Sequence, residues 1–174
     1  PGPGFGGSCL PKDTKALVRI GQEHGVRMSI VDSVVKANEF QRRRMVRKIE
    51  AGLAGLEGKV VGVLGLAFKQ GTDDVRESSA VPIVLEIVGK GGRVRVFDPQ
   101  AMENAKKLAF QAVAGIDYCV DEYDAAKDAD ALVVLTEWNQ FRHLDLARVA
   151  RTMRGKSFFD FRNLYEPEDV AKFG

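Results

Sequence analysis

Two cysteines and two histidines are all the soft metal-ligating chemistry these 174 residues contain. Cys9 and Cys119 are far apart and form no metal or disulfide pattern, and His24 and His143 have no partners at ligand spacing. A bound metal is therefore not expected, and a reduced, cytoplasmic setting is the simplest inference from the free thiols. Charge of one sign is also lacking. Twenty-six Lys and Arg face 24 Asp and Glu, a formal net charge of +2. That balance gives no support for a nucleic-acid or membrane-surface partner. No apolar run approaches the roughly 20 residues needed to span a bilayer. No internal repeat or low-complexity tract interrupts the chain. Hydrophobic residues make up 45%, enough for an ordinary core and one sizeable domain plus an appended element.

Strand and helix signals alternate through most of the chain. Val60 to Gly65, Arg93 to Phe97, Asp117 to Val120, Ala131 to Leu135 and Ser157 to Asp160 read as short strands. Helical patterns fall between them, at Ser79 to Val88, Ala101 to Leu108, Glu122 to Lys127 and Leu144 to Met153. That order predicts an α/β fold with a parallel sheet and right-handed crossovers, helices covering both faces. Before it come a short helix from Thr14 to His24 and a long one from Ser29 to about Leu53, with Ser29-Ile30-Val31-Asp32 as a possible capping box. The long helix would run roughly 35–40 Å, enough to bridge two domains or pack on a second subunit. Arg42-Arg43-Arg44 upon it suits a solvated polar face better than an anion site. Glycines at 52, 55 and 58 mark a linker. The expected division is 1–57, an active-site loop with the long helical segment, and 58–174, a ligand-binding domain.

Two stretches carry chemistry. In Gly4-Phe5-Gly6-Gly7-Ser8-Cys9-Leu10-Pro11-Lys12-Asp13 a cysteine stands between a glycine turn and a helix start. Gly6-Gly7 allows close backbone approach, and Pro11 suits a first helical turn. A helix N-terminus and nearby Lys12 favour a thiolate, and Asp13 is near enough to handle a proton. The second stretch is the long polar loop from Leu66 to Ser78, at the end of the first strand, where doubly wound sheets place ligands. Lys69 and Arg76 give it two cations suited to a diphosphate. Gly62-Val63-Leu64-Gly65 is a broken dinucleotide fingerprint. Asp98 could be a ribose-binding acid or the start of an Asp-Pro turn. Trp138 could be an apolar lid or a ligand contact.

Phe5-Gly6-Gly7-Ser8-Cys9-Leu10-Pro11-Lys12-Asp13 resembles the active-site segment of the nucleotide-sugar dehydrogenases that oxidise UDP-glucose, GDP-mannose and their relatives. Nearly the whole chain resembles the C-terminal part of such an enzyme. The resemblance implies a Rossmann-like second domain holding the nucleotide sugar, with the long helix in a homodimer core. The NAD-binding domain would belong to a preceding part of the parent protein. It implies NAD as cofactor and UDP-glucose as the favoured substrate, with GDP-mannose or a UDP-N-acetylhexosamine as alternatives. By the same resemblance Cys9 is the nucleophile and Asp13 handles the proton of the hydrolytic water. Phe5, Gly6, Phe68, Lys69 and Arg162 would bind substrate, and Lys12 and Arg76 would contact NAD. Asp160-Phe161-Arg162-Asn163 has Phe161 where the family commonly has glycine.

Overall fold

The computed structural model describes residues 2–173. Five parallel strands form the sheet: β1 (Val60–Leu64), β2 (Arg93–Phe97), β3 (Ile116–Tyr118), β4 (Ala131–Val134) and β5 (Ser157–Asp160). All five expected strands are present. β1 and β4 are buried along nearly their whole length, which is why they read as continuous apolar runs.

The strand order is β3-β2-β1-β4-β5. The chain winds outward from β1 to β3, returns across the sheet to β4, then winds the other way. With right-handed crossovers this puts the early helices on one face and the later ones on the other. The early helices are α3 (Ala80–Gly89) and α4 (Met102–Asn104), and the later ones are α5 (Glu122–Ala126) and α6 (Leu146–Thr152). α5 lies over β1, where a side chain at Gly62 would run into the Ala125 carbonyl at 2.6 Å. A last helix, α7, spans Pro167–Ala171. The β1–β4 boundary is the switch point, so the loops leaving these two strands meet above it.

Two helices precede the sheet, α1 (Leu10–Glu23) and α2 (Ser29–Gly52). The C-terminal half of α2 packs into the domain core through Met45, Val46 and Ile49. Its N-terminal half does not. Ile30, Val34 and Phe40 stay exposed, as do Leu10, Leu17, Ile20 and Val26 of α1 and the following turn. No helix among the described residues is long and apolar enough to cross a membrane.

Four local expectations need correction. α1 begins at Leu10 rather than Thr14, because the Cys9 carbonyl already accepts the Asp13 N–H at 2.8 Å. The capping box at Ser29 is not made: Met28 caps α2, Ser29 is its first residue, and Asp32 pairs with Lys36 at 2.6 Å. The helix expected from Ala101 to Leu108 is one α-turn that widens into a π-turn over Ala105–Ala109. Arg42 does not lie on a solvated face. It points inward beneath the cysteine segment, as described next.

Candidate active site

Cys9 is exposed at the N-cap of α1, with its Sγ 3.7 Å from the Ser8 hydroxyl. Asp13 sits one turn along the helix, exposed and paired with Lys12 at 3.3 Å. The glycines before Cys9 let the segment lie close against a neighbouring loop. A β-carbon on Gly6 would lie 2.4 Å from the Glu77 carbonyl oxygen, and one on Gly7 would lie 2.8 Å from the Phe68 ring. Gly7 also has φ +90 and donates its N–H to the Arg76 carbonyl at 3.0 Å. The cysteine segment therefore lies directly on the loop between β1 and α3.

That loop carries three of the expected residues. The Lys69 ammonium lies over the Phe68 ring at 5.4 Å from its centre. Arg76 forms a two-pronged pair with Asp74 at 2.8–3.1 Å, and its side chain stays 67% exposed. The guanidinium is pushed above its ordinary range, first by those hydrogen bonds, then by the Asp74 charge, and further by Cys9 across the site. The same bonds push the Asp74 carboxyl down. Cys9, Phe68 and Arg76 are thus brought together at one rim, with Lys12 and Asp13 following Cys9 on α1 and Lys69 following Phe68 on the loop.

Arg162 is half-buried at the exit of β5 and ion-paired with Glu137 of the loop after β4. Burial lowers its pKa. A side chain at Gly2 would strike its guanidinium, so Arg162 reaches the start of the cysteine segment. Phe161 needs no glycine conformation: the left-handed residue of this turn is Asn163, at φ 54. Asp160 holds the turn by accepting from the amides of Arg162, Leu164 and Tyr165.

Asp98 is structural. Its carboxylate is 1% exposed and accepts from the amides of Leu66, Ala67, Gln100 and Ala101 and from the Trp138 indole N–H at 2.7–3.0 Å. Trp138 is accordingly a buried lid. The amides that a dinucleotide phosphate would need at the β1 turn are occupied by this carboxylate. Cys119 is buried, its thiol pushed up to about 11 chiefly by burial. His24 and His143 each bond a carbonyl four residues back in their own helical turns. No cluster among the described residues fits a metal ion. An apolar cavity of about 510 Å3 follows β5, α6 and α7, but neither the cysteine segment nor the β1–α3 loop lines it.

Sequence reasoning missed Asn38, the inward turn of Arg42 and the pairing of Glu137 with Arg162. Asn38 is buried and bonds both backbone groups of Phe5, whose carbonyl also accepts from Arg42. The only signal was a pair of polar residues four apart on the inner face of α2.

A doubly wound sheet whose loops meet at its switch point, crossed by an exposed cysteine at a helix start, is a Rossmann-like domain joined to a thiol-bearing segment. The chain belongs to the UDP-glucose/GDP-mannose dehydrogenase family. The family's UDP binding domain matches residues 62–167, and its central domain matches residues 1–40. A UDP-glucose 6-dehydrogenase of Rhizobium meliloti is 46% identical over 99% of this chain and 39% of its own length. One from Rickettsia conorii is 41% identical over 99% of this chain and 40% of its own length. The solved UDP-glucose dehydrogenase of Pyrobaculum islandicum superimposes with a TM-score of 0.85 at 39% identity, covering 97% of this chain and 37% of that one. The chain thus spans about 40% of the length of the curated relatives it matches.

Proposed function

We propose that this chain is the cysteine-bearing, nucleotide-sugar-binding portion of an NAD-dependent UDP-glucose 6-dehydrogenase. The observation that carries the reading is the contact of the Cys9 segment with the loop bearing Phe68, Lys69 and Arg76. The names of the relatives support UDP-glucose over GDP-mannose or a UDP-N-acetylhexosamine. Residues 1–57 form the active-site and helical segment, and 58–174 the UDP-sugar domain. Phe5, Gly6, Phe68, Lys69 and Arg162 contact the sugar nucleotide. Arg162 gives its substrate contact while seated against Glu137.

The Cys9 thiolate adds to the carbonyl carbon of the C6 aldehyde, and the oxygen takes a proton to give a thiohemiacetal. Loss of a hydride from that carbon and a proton from its hydroxyl leaves a thioester. Water attacks the thioester, the C–S bond breaks, and the acid and the thiol are formed. Asp13, one turn from Cys9, takes the proton from that water. Bound NAD supplies acceptance of a hydride in each of the two oxidations. The exposed Lys12 and Arg76 fit the edge of an anionic cofactor on the rim. The β1 turn does not fit its pyrophosphate, since Asp98 holds the Leu66 and Ala67 amides. The main cofactor site therefore belongs to another part of the parent, and the setting is reduced and cytoplasmic. The exposed apolar half of α2 supports a homodimer through that helix.

Mixing the longer parent with NAD and UDP-glucose, GDP-mannose and a UDP-N-acetylhexosamine tests the reading. UDP-glucose should give two NADH per acid formed. Preference for another nucleotide sugar overturns the substrate assignment. A second reading follows from the occupied β1 turn: alone, these 174 residues are a nucleotide-sugar-binding and dimerising module. They should bind UDP and form no NADH, and sustained NADH formation by the pure chain sinks that reading.

The rim also predicts a division of labour. A lost charge-assisted phosphate contact costs roughly 1.5–3 kcal/mol, one to two decades of affinity. In the parent, Lys69→Ala should weaken UDP-sugar binding by about that much and leave NAD binding nearly unchanged. Arg76→Ala should do the reverse, at the lower end, because Arg76 must leave Asp74 to serve a ligand. Calorimetry of each variant with each ligand decides. Loss of the same ligand by both variants ends the division.

A further inference from the structure

We propose that Asn38 and Arg42 of α2 are positioning residues that hold the Cys9 segment in register with the β1–α3 loop. The proposal rests on the reading of Cys9 as nucleophile. Asn38 is 9% exposed. The Phe5 N–H donates to its Oδ1 at 2.8 Å, and its Nδ2 donates to the Phe5 carbonyl at 3.0 Å. The amide thus grips the segment as a neighbouring strand would, fixing its height as well as its direction. One turn on, Arg42 donates to the Phe5 carbonyl at 2.9 Å, the Glu77 carbonyl at 2.9 Å and the Ser79 hydroxyl at 3.2 Å.

Phe5 and Glu77 are remote in sequence and lie on the two stretches that carry the chemistry. One guanidinium nitrogen, Nη2, donates to both carbonyls and so holds them within reach of a single atom, while Nε, fixed in the same plane, is anchored on the Ser79 hydroxyl. Its nearest carboxylate oxygen, on Glu77, is 3.9 Å away, and burial lowers its pKa against the pull of Glu77 and Glu39. A half-buried cation served mainly by neutral oxygens is a poor way to stabilise a scaffold, since apolar packing does as well or better. It is a good way to fix a distance. Gly4 carries no side chain beneath this grip: one would meet Asn38 Oδ1 at 2.6 Å and Ser79 Oγ at 2.8 Å. The gap left around the clamp is about 20 Å3, room for about one water. Neither Asn38 nor Arg42 touches Cys9, so their effect reaches Sγ through Gly6 and Gly7.

Covalent attack is sensitive to displacements of about 1 Å, on the order of 100-fold in rate. Nucleotide binding through Phe68, Lys69 and Arg162 does not need the clamp, so only the Phe5 and Gly6 contacts weaken with it and KM should rise far less than kcat falls. Two variants separate these effects. Arg42→Lys keeps the charge and an aliphatic stem, but its single nitrogen cannot occupy both the Nε position at Ser79 and the Nη2 position at the two carbonyls. Asn38→Ala removes only the Phe5 pairing. In the 174-residue chain, hydrogen exchange across residues 4–8 should quicken about tenfold or more in each variant, while β4 amides keep their protection. Unchanged exchange across 4–8 overturns the clamp, and equal loss in β4 shows a merely structural role. In the longer parent, kcat should fall on the order of 100-fold with KM for UDP-glucose within about threefold. Unchanged kcat, or a KM rise alone, overturns the positioning role. If the wild-type parent forms no NADH from any nucleotide sugar while exchange across 4–8 still responds, the clamp stands and the nucleophile reading falls.

Discussion

Cys9→Ser in the longer parent is expected to cut steady-state acid formation by at least about 10³-fold, or about 4 kcal/mol of barrier. The size follows from what surrounds the position. An alcohol is a weak nucleophile at neutral pH unless a base takes its proton. Among the described residues, the side-chain hydrogen-bond contact at Cys9 Sγ is the Ser8 hydroxyl at 3.7 Å, which is no base. Asp13 is turned to Lys12, and neither histidine reaches the rim. A thiol depends less on such a partner, because sulfur is intrinsically more nucleophilic than a hydroxyl oxygen. The serine variant should bind UDP-glucose normally, since the segment's backbone grip on the loop is unaffected. Any ester it does form should persist, because an oxygen ester hydrolyses more slowly than a thioester. Rapid-quench mass spectrometry and NADH stoichiometry check both points. Acid production at the wild-type rate removes Cys9 from the chemistry.

The centre of the sheet was legible because its two central strands are buried on both faces. Ala131–Val134 and Val60–Leu64 need apolar residues throughout, and that need shows as an uninterrupted run. The rim was legible for a different reason: Cys9, Lys12, Asp13, Lys69 and Arg76 are close in sequence to turn glycines and strand ends. The partners of Arg42 were illegible. Its spacing from Asn38, Met45, Val46 and Ile49 sets it on the inner face of α2, but the Phe5 and Glu77 carbonyls it meets there are remote in sequence. The start of α1 was obscured by Pro11, which is compatible with a helix beginning on either side of it. Glu137 was hidden because its partner Arg162 is 25 residues away, on the next strand's exit. Long-range polar pairing leaves no periodic trace.

Asp98 illustrates the same blindness and yields the largest expected loss of stability. From the sequence, an acid after the second strand serves equally well as a ribose ligand or a turn former. In the structure it accepts five hydrogen bonds: from Leu66 and Ala67 after β1, from Gln100 and Ala101 after β2, and from the Trp138 indole after β4. Three loops at the switch point are thereby tied to one carboxylate. Asp98→Ala would leave five donors without a partner around a small void. Buried polar groups left unpaired cost about 1–3 kcal/mol each, and water can rescue only some of them. A loss of at least about 4–6 kcal/mol is expected, comparable to the whole stability of many domains. Asp98→Asn keeps the shape but replaces one acceptor oxygen with a donor group. With its oxygen turned toward Leu66, Ala67 and Trp138, the amide would face the Gln100 and Ala101 amides, so it should lose about half as much. Urea unfolding of the 174-residue chain should rank wild type above Asp98→Asn and Asp98→Ala last. The Trp138 fluorescence and the protection of the Leu66 and Ala67 amides should change in both variants. A ribose-binding acid makes the opposite forecast: undiminished stability in Asp98→Asn, with the loss confined to nucleotide affinity. That outcome would return Asp98 to the ligand and release the β1 turn to hold a phosphate.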